Sequence, residues 1–387
     1  MHRVATIAAI VNQHAEDAAF LWLRRRSEID GPILDETGIG RIDQRLDADL
    51  EGLMAAGEAG WEAAWARFAD YAEPGELFVL GALALRWGDT DLIAAAIDAA
   101  TGLGDAGLSS LSAAIARMPR ENLRPLVAKW LDAPDALQRS LGLSALWHHR
   151  VDPGSHLLDL MTHSDGRVRS RAVRLAGAMK RRDVLSVVLA GLGRETPEER
   201  LTAALAACLL GETRSAQPVI DDIMSTEAGL APRAIEIRLL TMVPTAGKDW
   251  LQKYLEQPAL CSAATASVGL FSDRAVMPWL IEKMRQPELV GAAGIALRDL
   301  FEVDFGDTDL FVSDPAVLGQ EFAHLDATSL PVADRVDAWW NKGRGGRSHR
   351  PFRSMRRLRL DALRAALATP GTPLAEWRVT RRFAAWM

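Results

Sequence analysis

Four histidines that lie close together in the sequence are the first residues whose type and spacing suggest chemistry. His148 and His149 are adjacent, whereas His156 and His163 are seven residues apart, two helical turns, so that they share one face of a helix. Asp159 lies between that pair. A metal site needs ligands that converge and are held by a second layer of hydrogen bonds, and this spacing does not impose convergence. We expect histidines of turns and helix ends here, with no metal and no cofactor.

One basic segment holds Arg167, Arg169, Arg171 and Arg174 and continues into residues 180–182. Such a density of positive charge suits phosphate or carboxylate ligands. In helical repeats, however, an arginine beside the first helix commonly pairs with a carboxylate of the neighbouring repeat. We therefore expect these side chains to have a structural role.

A second basic segment, residues 342–359, has no carboxylate before Asp361. Three interpretations stay open: a solvated loop that neutralises the acidic residues 301–310, a contact surface for an acidic protein, and a contact surface for nucleic acid. Six of its arginines are candidate partner contacts: Arg344, Arg347, Arg350, Arg353, Arg356 and Arg357.

Tryptophan is unusually frequent, with 12 residues against 2 tyrosines. Trp130, Trp250 and Trp279 fall at similar places in the second helices of the helix pairs described below. Aromatic anchors on one face are typical of a protein-binding groove, so that all three are candidate partner-binding residues. The same rings would equally well fill gaps between repeats, and the sequence leaves both alternatives open.

Motifs for nucleophilic catalysis and phosphate binding are not found. The segment Gly142-Leu-Ser-Ala-Leu146 lacks the second glycine of a nucleophile elbow, and no glycine-rich phosphate loop occurs. Cys208 and Cys261 are too few for a disulfide framework or a cysteine-rich metal site, and we expect both to be small buried hydrophobes. We predict no catalytic residue and a protein that is not an enzyme.

The charge balance and hydropathy limit the classes of partner. A net charge of −6 and a pI of about 5.8 argue mildly against a protein built to bind phosphate backbones. No apolar run approaches the roughly 18 residues of a membrane span. The short apolar run in residues 1–11 is followed by polar residues without a clear cleavage site. We expect a cytoplasmic protein that does not insert into membranes.

A repeat in the sequence predicts the helices that must position these residues. Residues 165–179 and 181–190 have the apolar spacing of two short helices, neither long enough to be stable alone. Alignment on Ala172 finds small or apolar anchors at intervals of 31, 31, 31, 31, 31, 30 and 29 residues. We predict an all-α fold, a right-handed α-solenoid of stacked helix pairs. The eight anchors are Val79, Ser110, Leu141, Ala172, Ala203, Ala234, Ala264 and Ala293.

Three regions are predicted along the chain. Residues 1–74 form an N-terminal helical cap of three amphipathic helices, the third of which aligns Trp61, Trp65 and Phe68. Residues 75–300 form about eight repeats. Residues 301–387 form a C-terminal helical subdomain, in which we expect helices over 332–340 and 355–367 and a Gly- and Arg-rich loop over 343–350.

The repeats resemble HEAT repeats of the short-unit type, whose first helix reads Val-Arg-x-x-Ala, as residues 168–172 do here. The cap segments His14–Arg24 and Arg41–Leu53, with Trp339-Trp340, are similar to an uncharacterised bacterial family of HEAT-repeat proteins often encoded among type VI secretion genes. That resemblance implies an adaptor, chaperone or accessory role in handling secreted effectors. It carries over no catalytic residue.

We therefore expect a non-enzymatic scaffold whose partner is another protein, an effector or a secretion component. The alternative is a HEAT-repeat nucleic-acid-binding protein of the alkylpurine DNA glycosylase type, in which Arg169, Arg174 and residues 342–359 would contact phosphates. A third reading, a bilin-lyase-like protein, would be detected by bound pigment. The sequence leaves open the identity of the partner, the face that binds it and the oligomeric state.

Overall fold

A computed structural model describes residues 6–28, 36–271, 273–301, 309–325 and 329–345. The described residues contain nineteen α-helices, short 3-10 segments and two strands of two residues each. Neighbouring helices pack on one another, which agrees with a repeat-like helical fold. None of the helices in these ranges is long and apolar enough to cross a bilayer.

Contacts divide the chain into two compact units, Met1–Leu175 and Ala176–Met387. The predicted three-region division at residues 74 and 300 stays a prediction. The helices of unit 1 are α1 (Ala8–Glu28), α2 (Glu36–Ala56), α3 (Glu58–Asp70), α4 (Pro74–Trp87), α5 (Thr90–Thr101), α6 (Gly104–Ala116), α7 (Arg120–Leu131), α8 (Ala136–His149) and α9 (His156–Met161).

The helix α10 (Gly166–Ala178) begins in unit 1 and ends in unit 2. Short 3-10 segments in unit 2 include Arg182–Val184, Val268–Phe271 and Arg274–Val276. Its further helices are α11 (Leu185–Gly191), α12 (Pro197–Leu209), α13 (Thr213–Thr226), α14 (Ala231–Leu240), α15 (Pro244–Gln252), α16 (Cys261–Ser267), α17 (Met277–Met284), α18 (Val290–Leu300) and α19 (Ala333–Gly345).

The eight predicted anchors are all buried, none with more than 1% of its surface exposed. They occupy every second helix from α4 to α18, one anchor in each. Ser110, the polar member, is accommodated because its hydroxyl donates to the Ala106 carbonyl at 2.9 Å within the same helix. The predicted period is therefore confirmed as a period of burial.

Four of the anchor-bearing helices are followed by a residue in the left-handed conformation at nearly the same place in the repeat. These are Gly88 (φ 68°), Arg150 (φ 54°), Lys180 (φ 55°) and Gly211 (φ 92°), which follow their anchors by eight or nine residues. Glycine adopts this conformation freely, whereas a side chain adds strain. The same six-to-one hydrogen bond closes three of these helices, from Val151 to Leu146 (2.9 Å), Arg181 to Ala176 (3.0 Å) and Glu212 to Ala207 (2.8 Å).

That residues 1–74 form a separate N-terminal cap stays a prediction, but α1, α2 and α3 form one helical group, in mutual contact and packed against α4. Its core includes Leu46, Leu50 and Leu53, which are fully buried. The first turn of α3 passes close to the end of α2 at Gly60, where a Cβ would lie 2.1 Å from the Leu53 carbonyl oxygen. Only glycine permits this close approach.

In the C-terminal region, the described residues include one small strand pair beside the helices. Strands β1 (Phe311–Val312) and β2 (Leu330–Pro331) pair antiparallel, with Phe311 opposite Pro331. Among the described residues between them, two 3-10 segments occur, Pro315–Leu318 and Gln320–Phe322. Gly319, with φ 134°, separates these segments and ends regular helix there.

The helix α19 begins at Ala333, close to the predicted start, but continues to Gly345. The loop that we expected to begin at residue 343 is therefore helical in its first three residues. Trp339 and Trp340 pack against Phe301 at ring-centroid distances of 5.1 and 5.8 Å and hold α19 beside α17. The predicted helix over 355–367 lies outside the described residues.

Candidate protein-interaction surface

Four aromatic rings from α3 and the end of α4 form a continuous row, which we call the aromatic row. Trp61 stacks on Trp65 at a centroid distance of 5.8 Å, and Trp65 lies 6.2 Å from Phe68. Trp87 adds a ring edge 6.4 Å from Trp61. These distances are typical of favourable aromatic pairs. Positions 61, 65 and 68 follow the helical period, so α3 presents them on one face.

The aromatic row lies at the boundary between the core and the solvent. Gly60 and Ala64 of α3 are buried, which fixes the direction of the core. Trp61, Phe68 and Trp87 are half-buried, and Trp65 leaves 39% of its surface exposed. Contiguous aromatic surface that reaches the solvent is a mark of an interaction site.

The acidic and basic side chains of α3 differ in whether they form hydrogen bonds and ion pairs. Glu58, Glu62 and Asp70 are exposed and, within the described residues, make neither a hydrogen bond nor an ion pair. Arg67, the only basic residue of the helix, donates to Glu76 at 3.1 Å and lies 3.6 Å from Glu16. The outward side of α3 is therefore acidic.

The Arg67–Glu76 pair ties α3 to α4 beneath the aromatic row. Only 5% of Glu76 is exposed, and this burial raises the pKa of its carboxyl, against the opposing effect of Arg67. The guanidinium carbon of Arg67 also lies 5.0 Å from the centre of the Tyr71 ring. Arg67 therefore already has carboxylate and aromatic partners within unit 1.

Of the predicted partner-binding tryptophans, Trp130 is buried, with 3% exposed. Its ring lines a small apolar crevice of unit 1 together with Ile97, Leu111 and Leu141. A partner could not contact this ring without opening the core. The burial favours the alternative that Trp130 fills space between repeats.

Trp250 and Trp279, both in unit 2, are half-buried and reach the surface. The Trp250 ring lies 4.8 Å from that of Tyr254, and the guanidinium of Arg238 lies 5.8 Å from the Trp250 ring centre. Trp279 has the ammonium of Lys283 at 5.6 Å. Each ring therefore already has a cation from its own chain, and the partner-binding role of both stays a prediction.

The basic residues near α10 serve the fold. Arg167 donates to Asp165 at 3.0 Å and lies 3.8 Å from Asp105 of α6. Arg169 donates to the carbonyl oxygens of His163 and Ser164, both at 2.7 Å. These contacts agree with the expected structural role, although Arg169 binds carbonyls instead of a carboxylate.

Little of the second basic segment falls within the described residues. Lys342 is exposed on α19, and Arg344 belongs to the last turn of that helix. The remaining candidates lie outside the described residues, and their role stays a prediction: Arg347, Arg350, Arg353, Arg356 and Arg357.

The histidines contact different partners. His148 Nε2 lies 3.0 Å from the Ser112 hydroxyl oxygen, and burial, with the nearby His149, lowers the pKa of His148 to about 4. So weak a base is poorly suited to activate that hydroxyl at neutral pH. His163 accepts from the Asp165 amide at 3.0 Å, and His156 lies 3.5 Å from Asp132. The described ranges contain no group of three side chains placed to hold a metal ion.

No protein-family model, curated protein or solved structure matches this chain. The resemblances to HEAT repeats and to the secretion-associated family therefore stay predictions from the residues. Any function must be argued from the surface of this chain.

Sequence reasoning found the alignment of Trp61, Trp65 and Phe68 but assigned it to closing the cap. It missed Trp87, which lies 19 residues beyond Phe68 and joins the row only because α4 folds back against α3. The available signal was the acidic, nearly lysine- and arginine-free composition of α3 beside an aromatic stripe. That combination is unusual for a face that only packs inside a cap.

Proposed function

We propose that this chain is a non-enzymatic, cytoplasmic scaffold that binds another protein. The aromatic row of α3 is the observation that carries the proposal, because tryptophan and other aromatic residues contribute most of the binding energy in protein interfaces. A half-exposed row of four such rings offers a ready set of anchors.

We further propose that the helix pairs are HEAT-like repeats of a right-handed α-solenoid. The eight buried anchors in alternate helices support this, since each pair of a solenoid buries its apolar face against its neighbours. Solenoids hold extended surfaces that bind other macromolecules, which suits a scaffold.

For the partner, we propose an effector or an apparatus component of bacterial type VI secretion. This choice of partner class rests on the resemblance of the cap alone. An adaptor or chaperone role follows from it, because the proposed activity is binding without a chemical step.

The nucleic-acid alternative is not favoured by any contact in the described residues. Arg167 and Arg169 donate to groups of their own chain, and the exposed charges of α3 are carboxylates, which repel phosphates. We therefore retain the protein partner as the proposed function.

The test is native purification of the tagged protein from its own host, with and without nuclease, followed by mass spectrometry. We expect one protein in stoichiometric amount in both samples. Nucleic acid in the untreated sample, with no protein in either, would contradict the scaffold function. Salt dependence of the recovered complex then separates a contact made mainly by charge from one made by apolar surface.

A further inference from the structure

We propose that the aromatic row binds a partner segment that carries lysine or arginine side chains interleaved with apolar ones. The proposal rests on the protein-binding function above and names the chemistry of its ligand. It follows from the ring surface that the row presents to the solvent and from the carboxylates beside it, which have no ionic partner within the described residues.

Three tryptophans elsewhere in the described residues have a cation from the same chain beside the ring. Arg26 lies 5.6 Å from the Trp22 ring centre, and Arg238 and Lys283 lie at 5.8 and 5.6 Å from Trp250 and Trp279. Indole is the strongest acceptor of such cation–π contacts among the side chains. The chain thus repeatedly places arginine or lysine on its tryptophans.

The rings of the aromatic row differ from these three tryptophans in their neighbours. Within the part of the chain that the structure describes, Trp61, Trp65 and Trp87 have ring neighbours but no cation. Arg67, the nearest basic residue in sequence, is committed to Glu76 and to the Tyr71 ring. Three indoles are therefore left without the positive group that Trp22, Trp250 and Trp279 have.

Carboxylates without ionic partners border the same face. Glu62 and Glu58 precede Trp65 by three and seven residues, so that they lie on its side of α3. Both are exposed and neither is paired within the described ranges. A guanidinium or ammonium placed there would contact an indole and a carboxylate together, while apolar side chains of the same segment cover the remaining ring surface.

The negative charge beside the aromatic row also favours some binding partners over others. A second copy docked through the same face would set Glu58 and Glu62 against their own equivalents, because a two-fold interface brings identical patches together. Phosphate-bearing ligands and anionic membranes would be repelled by the same carboxylates. A cationic, apolar protein segment is the occupant that satisfies both the rings and the charges.

The experiment uses the full chain and two synthetic helical peptides with the same leucine pattern, one with arginine and one with glutamate at every polar position. Binding is measured by anisotropy of the labelled peptide. We expect the arginine peptide to bind at least about tenfold more tightly than the glutamate peptide. Trp65→Ser should weaken binding of the arginine peptide by about tenfold, through loss of cation–π and apolar contact.

A second variant, Glu62→Arg, keeps the aromatic rings and a good helix former at an exposed position, so that folding is preserved. We expect it to lose most of the preference for the arginine peptide. Matched controls remove an exposed apolar side chain and an exposed carboxylate elsewhere, Leu158→Ser and Glu256→Gln. Both should bind the arginine peptide as the wild type does.

Equal binding of the two peptides to the wild type, or unchanged affinity in both Trp65→Ser and Glu62→Arg, would overturn the proposal. Native purification separates this failure from that of the scaffold function. If both variants retain the protein that copurifies with the wild type, the aromatic row is not the docking site and the scaffold function stands. If the wild type itself brings no protein, the scaffold function fails, and the docking proposal falls with it.

Discussion

Asp43 of α2 and Arg117, the residue that follows α6, lie 74 residues apart in the sequence, and the Arg117 guanidinium donates to the Asp43 carboxylate at 2.8 Å. The same carboxylate oxygen accepts from Arg25 of α1 at 2.6 Å. Arg117 reaches Asp47 as well, at 2.8 Å. This network connects α1 and α2 to the C-terminal end of α6 within unit 1.

Asp43→Asn should destabilise unit 1 by about 1–2 kcal/mol at neutral pH, because two arginines lose a charged acceptor. Burial alone would raise the pKa of the Asp43 carboxyl, but the hydrogen bonds from Arg25 and Arg117 outweigh it and the pKa is lowered. The stabilisation is therefore present above the ordinary pKa of 3.8 and is lost as the pH falls through the lower folded value.

The measurement is urea unfolding, followed by circular dichroism, of the wild type and Asp43→Asn at pH 7 and below pH 4. The difference in stability should shrink at the acid pH. Asp132→Asn is the matched control, since Asp132 faces His156 in an exposed pair worth at most about 1 kcal/mol. An equal loss of stability in both variants at pH 7 would show that the Asp43 network contributes no more than an exposed ion pair.

Arg150 holds the left-handed position after α8 that Gly88 holds after α4. Arg150→Gly should be more stable than Arg150→Ala by about 1 kcal/mol, since both lose the side chain and only alanine keeps the strained Cβ. Gly88→Ala should cost about the same amount. A Cβ at Gly88 would meet no atom within 4 Å, so that this loss reports backbone strain alone. Thermal unfolding of the three variants checks the comparison.

Ala234, an anchor in α14, is fully buried, whereas its neighbour Arg233 is exposed. Ala234→Leu should destabilise the protein by about 1–3 kcal/mol, because the close-packed position cannot accept a larger side chain. Arg233→Leu, with the same residue introduced one position away, should be nearly neutral. Similar urea midpoints for both variants would show that the repeat register is wrong at this helix.

His148 should make the stability of unit 1 dependent on pH between about 6.5 and 4. Burial, with His149, lowers its pKa from 6.5 to about 4, so that the unfolded chain binds the proton first as the pH falls. Stability is then fully present above pH 6.5 and declines toward pH 4, by up to roughly 3 kcal/mol. His148→Gln should flatten this profile, whereas His156→Gln, at an exposed position, should leave it unchanged.

Two of the tryptophans predicted to bind a partner, Trp130 and Trp250, should respond differently to substitution. Trp130→Ala should cost about 3–5 kcal/mol, because it empties a buried site beside Leu111 and Leu141. Trp250→Ala should leave helicity intact and lower the recovery of the protein partner in native purification. Loss of helicity at 25 °C in Trp250→Ala would instead place that ring among the groups that hold the fold.

Much of the helical architecture could be predicted because it depends on local spacing. The anchor period needs only the 3.6-residue helix and the packing of one helix pair on the next. All eight anchors are accordingly buried. The small strand pair at β1 and β2 was missed, since two-residue strands have no measurable period.

The sequence by itself determined which helices recur and which of their residues face inward. Only the tertiary structure decided that Trp130 is enclosed, that Trp87 completes a row begun 26 residues earlier at Trp61, and that Arg117 finds Asp43. The physical reason is that periodicity is a property of one helix, whereas burial and charge pairing depend on which distant helix arrives at its side.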